Sequence, residues 1–175
     1  MNIRESEVQE NQIIQQVHLN AFGEPEGTIV SKLAVELLQD ETAKPIFSFV
    51  AEENNKIVGN VIFSHVKINS KNLNSFILAP LAVTKKFQRK GIGKSLILHG
   101  LSFLRNNNAN LVFVLGDPKY YSRFGFEAAI PYNLNPPYKI PDPEAWMVIN
   151  LSSNSISSYQ GIVECGTSLN SEEYW

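Results

Sequence analysis

The chain has 175 residues, with 15 lysines and arginines against 17 aspartates and glutamates, for a formal net charge of −2. That is the length of one domain with a real hydrophobic core, and the slightly acidic balance argues against a general nucleic-acid binder, which needs a broad basic face. The single cysteine, Cys165, cannot form an internal disulfide and fits a reducing compartment. The polar, acidic start MNIRESEVQE does not read as a signal peptide, and no apolar run approaches the ~18 residues a membrane helix needs. A cytoplasmic protein without membrane or nucleic-acid partners is expected.

Residues 2–5 suit a short first strand. Ser6 with Gln9 three residues on spells a capping box for a helix running to about Phe22, with Ile13, Ile14 and Val17 on its apolar face. After a turn at Gly23-Glu24-Pro25, Ile29, Leu33, Leu37 and Leu38 recur at helical spacing. From Pro45 the period changes. Residues 46–52 and 57–68 are rich in β-branched and aromatic side chains, with a hairpin turn at 53–56 between them, and 75–83 forms another apolar strand. A helix over 91–107 carries Ile92, Leu96, Ile97, Leu101 and Leu104 on one face, and Leu111 to Leu115 is a fully apolar strand. Pro118 opens a short helix up to Phe124. Five prolines in 131–143 read as an extended loop, residues 146–151 as one more strand, and 151–175 as a weakly patterned extension of a core at about 1–150. The expected class is α+β, in a single domain over 1–175. Its sheet is mostly antiparallel with flanking helices, and one parallel crossover (strand 75–83, helix 91–107, strand 110–115) lies at its centre.

The stretch LAPLAVTKKFQRKGIGKSLILHGLSFL, residues 78–104, carries the chemistry. A strand runs into a basic turn with two glycines and then a helix, so a row of backbone N–H groups and a helix N-terminus converge on one spot, which suits a phosphate. Lys85, Lys86, Arg89, Lys90 and Lys94 concentrate positive charge there. Gly93-Lys94-Ser95 matches the end of a nucleotide-binding P-loop, but that motif's first glycine, five residues before Gly93, is Gln88 here. A dinucleotide fingerprint fails as well, since its third glycine would fall at Leu96. His18, His65 and His99 are scattered without metal-ligand spacing, and no metal is expected.

Gln88-x-x-Gly91-x-Gly93, followed by Tyr121-Ser-Arg-Phe-Gly125-Phe126, resembles the GNAT superfamily of N-acetyltransferases. The wider strings PLAVTKKFQRKGIGKSLI and VFVLGDPKYYSRFGF resemble its YhbS-like branch, and the likeness runs over most of the chain. The resemblance implies a GNAT-like sheet splayed between its fourth and fifth strands, with Pro80 marking the bulge. It implies acetyl-CoA as cosubstrate, its pyrophosphate cradled by the backbone from Arg89 through Lys90, Gly91, Ile92 and Gly93 to Lys94, after Gln88. Ser95 would serve a phosphate or simply face the first helical turn. Leu81, Ala82 and Val83 would offer backbone groups to the pantetheine arm, and an N–H near Val83 would stabilise the developing oxyanion.

Tyr121 stands where the family carries a tyrosine general acid, with Tyr120 as packing or cofactor contact. The general base is open: Asp117, which also suits a helix cap, Glu24, Glu26 and a water chain are all candidates. Phe22, Glu24, Glu26, Tyr132 and Tyr138 are the side chains expected around an acceptor, a small-molecule or protein amine, in a monomer or homodimer. A non-catalytic acyl-CoA-binding sensor would need the same binding loop and stays open at this point.

Overall fold

The computed structural model describes residues 1–175. In chain order the elements are β1 (Asn2–Glu5), α1 (Asn11–Phe22), α2 (Glu26–Leu38), β2 (Ile46–Glu53), β3 (Lys56–Ile68), β4 (Lys71–Val83), α3 (Ile92–Asn106), β5 (Leu111–Leu115), α4 (Pro118–Tyr121), β6 (Glu127–Ala128), β7 (Leu134–Asn135), β8 (Trp146–Asn150) and β9 (Gly161–Glu164). The main sheet runs β1-β2-β3-β4-β5-β8-β6. Only β4 and β5 are parallel neighbours in it, and α3 is the crossover that such a pair requires.

Alternation along the central strands builds two cores. Val50, Ile62, Ile77 and Phe113 face α1 and α2, where Ile14, Leu33 and Leu37 meet them. Their chain neighbours Phe49, Val61, Phe63, Phe76 and Val112 face α3, whose Ile92, Leu96, Ile97, Leu101 and Leu104 form its buried stripe. Gly100 lets α3 come down onto the sheet, because a Cβ there would overlap the Phe63 ring. The apolar strand expected at 111–115 is buried on both sides for this reason.

Three local expectations change. The cap before α1 uses Glu7 and Glu10 instead of Ser6 and Gln9, with a 3₁₀ turn over Val8–Glu10. Glu10 accepts the Glu7 N–H at 2.7 Å while gripping Arg4 of β1 at 2.6 and 3.0 Å, and Arg4 also reaches Glu52 at 2.9 Å. That charged network sets the cap one residue later. Leu134-Asn135, inside the proline-rich loop, pairs with β9, and β9 adds to the far end of β3. The last segment is held to the α2–β2 connection, as the Ser168 amide donates to Asp40 and the Thr167 amide to the Thr42 hydroxyl, both at 2.8 Å. Trp175 then packs edge-on against Trp146, ring centres 5.5 Å apart, and donates its indole N–H to the Leu169 carbonyl.

Candidate active site

The site begins where the sheet opens. β4 and β5 pair only at Phe76 with Val112 and Ile77 with Phe113, after which β4 continues alone to Val83. Opposite β3 the register slips so that Leu78 faces Phe63 but Leu81 faces Val61, which leaves Ala79 and Pro80 bulged against Ile62. Pro80 has no N–H to leave unpaired at this point. Thr84 donates to the Val58 carbonyl at 2.9 Å, so by strand alternation Ala82 also faces β3. Leu81 therefore turns its N–H and C=O, and Val83 its N–H, into the gap left by β5; the Val83 carbonyl is taken by Gln88, and the backbone groups of Ala82, expected in the cleft, are directed to β3 instead.

The glycine loop closes one end of this gap. Arg89 (φ 60°) and Gly91 (φ 84°) are left-handed, and they turn the chain so that successive amides point the same way. The amides of residues 89–94 make no hydrogen bond within the protein, and Ser95, bonded to the Gly91 carbonyl at 3.0 Å, is the first that does. Six free donors at the N-terminus of a 15-residue helix make a cradle of a shape and polarity that suit an anion. Above them lies a cavity of about 620 Å³. It takes in every expected cofactor residue except Lys90 and Ser95. Lys90 instead lies over the Phe87 ring, 5.1 Å from its centre.

Gln88 points its amide away from the cradle, to the carbonyls of Val83 at 2.8 Å and Ala21 at 3.3 Å. Arg123 is a lining residue the sequence reading did not single out; it stacks over Tyr120 at 4.7 Å. The signal for it was a cation two residues past Tyr121, inside the aromatic-to-Gly-Phe motif.

A second cavity of about 570 Å³ continues from the first and shares Phe22 and Leu81 with it. The two adjacent tyrosines separate at this junction: Tyr120 lines the loop side and Tyr121 the second cavity. The Tyr120 hydroxyl stands over Gly93, 2.9 Å from where a Cβ would be. The Tyr121 ring packs against Gly116, and burial, with the neighbouring Tyr120 adding to it, pushes its phenol well above the ordinary tyrosine value.

Of the residues expected around an acceptor, only Phe22 and Glu26 line the second cavity. Glu24 accepts from the Thr28 hydroxyl at 2.6 Å, Tyr132 donates to Glu127 and Tyr138 to Asn170, each at 2.8 Å. In their place stand Leu169, Glu173, Tyr174 and Trp175. Asp117 caps α4 by accepting the Lys119 amide at 2.9 Å. The histidines serve the fold: His18 donates to Asn60, His65 pairs with Asn72, and His99 meets the edge of Phe49. Burial pushes the Cys165 thiol up to about 12, so no thiolate forms there near neutral pH.

Two cavities that meet at one strand opening are the arrangement of a two-substrate transferase. Residues 45–128 match the acetyltransferase (GNAT) domain family. The chain is 34% identical over 157 residues to the uncharacterized N-acetyltransferase YjhQ of Escherichia coli K12, covering 87% of this chain and 84% of that protein. It is also similar to the crystal structure of YhbS from Escherichia coli in complex with CoA, with a TM-score of 0.88 and 28% identity over 98% of this chain and 92% of that one. A GNAT family acetyltransferase from Brucella melitensis in complex with acetyl-CoA matches at a TM-score of 0.73 and 29% identity, covering 97% of both chains. The chain belongs to the GNAT family of acetyltransferases.

Proposed function

We propose that the protein transfers the acetyl group of acetyl-CoA to a primary amine by direct attack, with Tyr121 as general acid. The observation that carries this reading is the junction of the two cavities at Leu81, with the anion cradle on one side and Tyr121 on the other. The free amides of residues 89–94 and the positive end of α3 suit the pyrophosphate, whose adjacent negative oxygens need several donors at once. Arg89, Lys94 and Arg123 add screened attraction for the nucleotide phosphates. The pantetheine arm, an extended chain with two amides, pairs with the Leu81 N–H and C=O and the Val83 N–H, as a short extra strand would.

This path brings the thioester to Leu81. The amine lone pair attacks the thioester carbonyl carbon, and the Leu81 N–H, the cleft-facing amide at the junction, takes the developing oxyanion. The C–S bond then breaks as the oxyanion collapses to the amide carbonyl, and the CoA thiolate takes the Tyr121 proton; the extra proton on the newly attached nitrogen leaves through water and restores the phenol. The acceptor, which arrives as an ammonium ion, gives its proton to water at the cavity mouth, where Glu26 and Glu173 stand. They are the two acids that line this cavity, and the β4 face at the junction carries none: it reads Ile77, Leu78, Ala79 and Pro80.

Release of free CoA thiol from acetyl-CoA, followed with and without primary amines, tests the reading. Amine-dependent release is the expected result. Tight CoA binding without such release from any amine would overturn it in favour of a sensor of acyl-CoA.

A further inference from the structure

We infer that the acceptor is a primary amine carried on an apolar body, such as an arylalkyl or branched alkyl amine, and that the C-terminal segment is the wall that selects it. The inference rests on the transfer reading above and names the substrate class for the same site. Of the 18 side chains lining the second cavity, 14 are hydrophobic and the other four are two prolines and two glutamates. None is a lysine, arginine, histidine, serine, threonine, asparagine or glutamine, so the Tyr121 and Tyr174 hydroxyls and the Trp175 indole N–H, itself bonded to Leu169, are the only other polar side-chain groups.

A polyol or polyamine placed there would leave hydroxyls or amines without partners along most of its length, and each unpaired polar group opposes binding. An apolar body meets the walls everywhere. Its one amino group is drawn in by Glu26 and Glu173, both exposed, and then reaches the junction at Leu81.

Phe22 and Ile29 support the same conclusion. They are 37% and 41% exposed, among the few large apolar side chains the protein leaves uncovered, and both belong to this cavity. Across from them the C-terminal segment contributes Leu169, Tyr174 and Trp175. Trp175 is fixed by its edge-on packing against Trp146 and its bond to the Leu169 carbonyl, so this wall is built and does not hang free. A cavity of about 570 Å³ has room for a body of six to ten carbon atoms or so beside the acyl-pantetheine end, within the ordinary range for small-ligand sites.

The test uses n-alkylamines from propylamine to hexylamine and 2-phenylethylamine against spermidine, glucosamine and 6-amino-1-hexanol. Transfer is read as kcat/KM from thiol release, and binding by calorimetry into the CoA-saturated protein. Each added methylene is expected to raise kcat/KM and affinity about fourfold, the ratio for burying one CH₂, and so about 60-fold from propylamine to hexylamine. 6-Amino-1-hexanol should fall at least about tenfold below hexylamine, with spermidine and glucosamine lower still.

Ile29→Asp should flatten the chain-length series in both readouts while CoA affinity stays the same, which shows the variant is folded. A flat series, or spermidine or glucosamine exceeding hexylamine, overturns the inference. The binding series distinguishes the two readings. If it appears without any transfer, the acceptor class stands and the transfer reading falls. Transfer without the series leaves the transfer reading standing and removes this one, and failure of both removes both.

Discussion

The Gln88 carboxamide donates to the Val83 carbonyl at 2.8 Å, and so ties the glycine loop to the last residue of the strand that borders the cleft. Its second bond, to Ala21 at 3.3 Å, ties the end of α1 to the same point. Gln88 is therefore a brace that presets the spacing between the anion cradle and the cleft-facing edge of β4. Gln88→Ala removes both bonds, at about 1 kcal/mol each. CoA affinity measured by calorimetry should fall roughly five- to tenfold with kcat little changed, because the loss is in pre-organisation of the donor site. Unchanged affinity would show that the loop holds its shape without the brace.

Gly93 gives a cleaner test of close approach, because its backbone is ordinary helix and no left-handed strain enters. Alanine there is the better helix former by up to about 1 kcal/mol, so Gly93→Ala should unfold at the same temperature or slightly higher. Its Cβ, however, would stand 2.9 Å from the Tyr120 hydroxyl at the lip of the donor cavity. CoA binding should weaken about tenfold, and Tyr120→Phe in the same chain should recover part of that loss. A double-mutant cycle on CoA affinity reads the coupling.

Tyr121 makes a prediction about pH. Burial raises its phenol above the ordinary value, so the proton it is proposed to give remains in place through the whole neutral and mildly alkaline range. The kcat/KM profile should rise with the deprotonation of the acceptor amine and show no falling limb up to about pH 10, the value of an unperturbed tyrosine. Tyr121→Phe should lower kcat by about 10²- to 10⁴-fold with little change in CoA affinity. A falling limb near pH 8 that disappears in the variant would contradict a raised phenol.

What could be read in the sequence depended on how local each cause was. The cradle was legible because Gly91 in a left-handed turn and a helix starting at Ile92 are demands on residues within one short segment. Pro80 was legible for the same reason, since a proline inside a strand needs a bulge. The wall that Leu169, Tyr174 and Trp175 give the second cavity was not. It depends on Asp40 holding Ser168, 128 positions away, and on Trp175 finding Trp146, and no period in 151–175 announces either contact. The helix cap at Ser6 failed for a nearer reason: Glu10, held by Arg4, takes the Glu7 N–H, and only the hold on Arg4 by Glu52 comes from another strand. The bonds of Glu24, Tyr132 and Tyr138 to Thr28, Glu127 and Asn170 were not legible either, because those pairings form only once the chain is folded.

Asp40 is the residue through which that wall can be loosened. Burial alone would raise its carboxyl, but donors from Thr42 and the Ser168 amide outweigh it and hold the group below the ordinary value. A carboxylate depressed by folding stabilises above its unfolded value of about 4, and the contribution is lost as pH falls through the lower folded value. Asp40→Ala should cost about 1–3 kcal/mol at pH 7 by leaving these donors unpaired. It should also raise the KM for the amine more than that for acetyl-CoA. Urea titrations at pH 7 and in the window below about pH 4, where the two proteins should converge, check the first effect; steady-state kinetics checks the second.

His18 governs a different window. It is fully buried, and its Nε2–H donates at 2.9 Å to the Asn60 oxygen, since the Asn60 amide nitrogen is occupied with Ser48 and Phe49. Nδ1 has no partner, so a second proton on the ring would be a buried charge without an acceptor. Burial accordingly lowers its pKa to about 4 from an ordinary 6.5. The folded state resists protonation while the unfolded state accepts it. The stabilisation is therefore complete above pH 6.5 and is lost progressively as pH falls towards 4, by about 1.4 kcal/mol per unit and about 3 kcal/mol in all. His18→Gln keeps a donor for Asn60 and cannot titrate. Urea midpoints at pH 8, 7, 6 and 5 should fall below pH 6.5 for the wild type and stay level for the variant, so that a variant less stable at pH 8 draws level or better near pH 5. Parallel curves would mean that acid reaches this fold through some group other than the imidazole that joins α1 to β3.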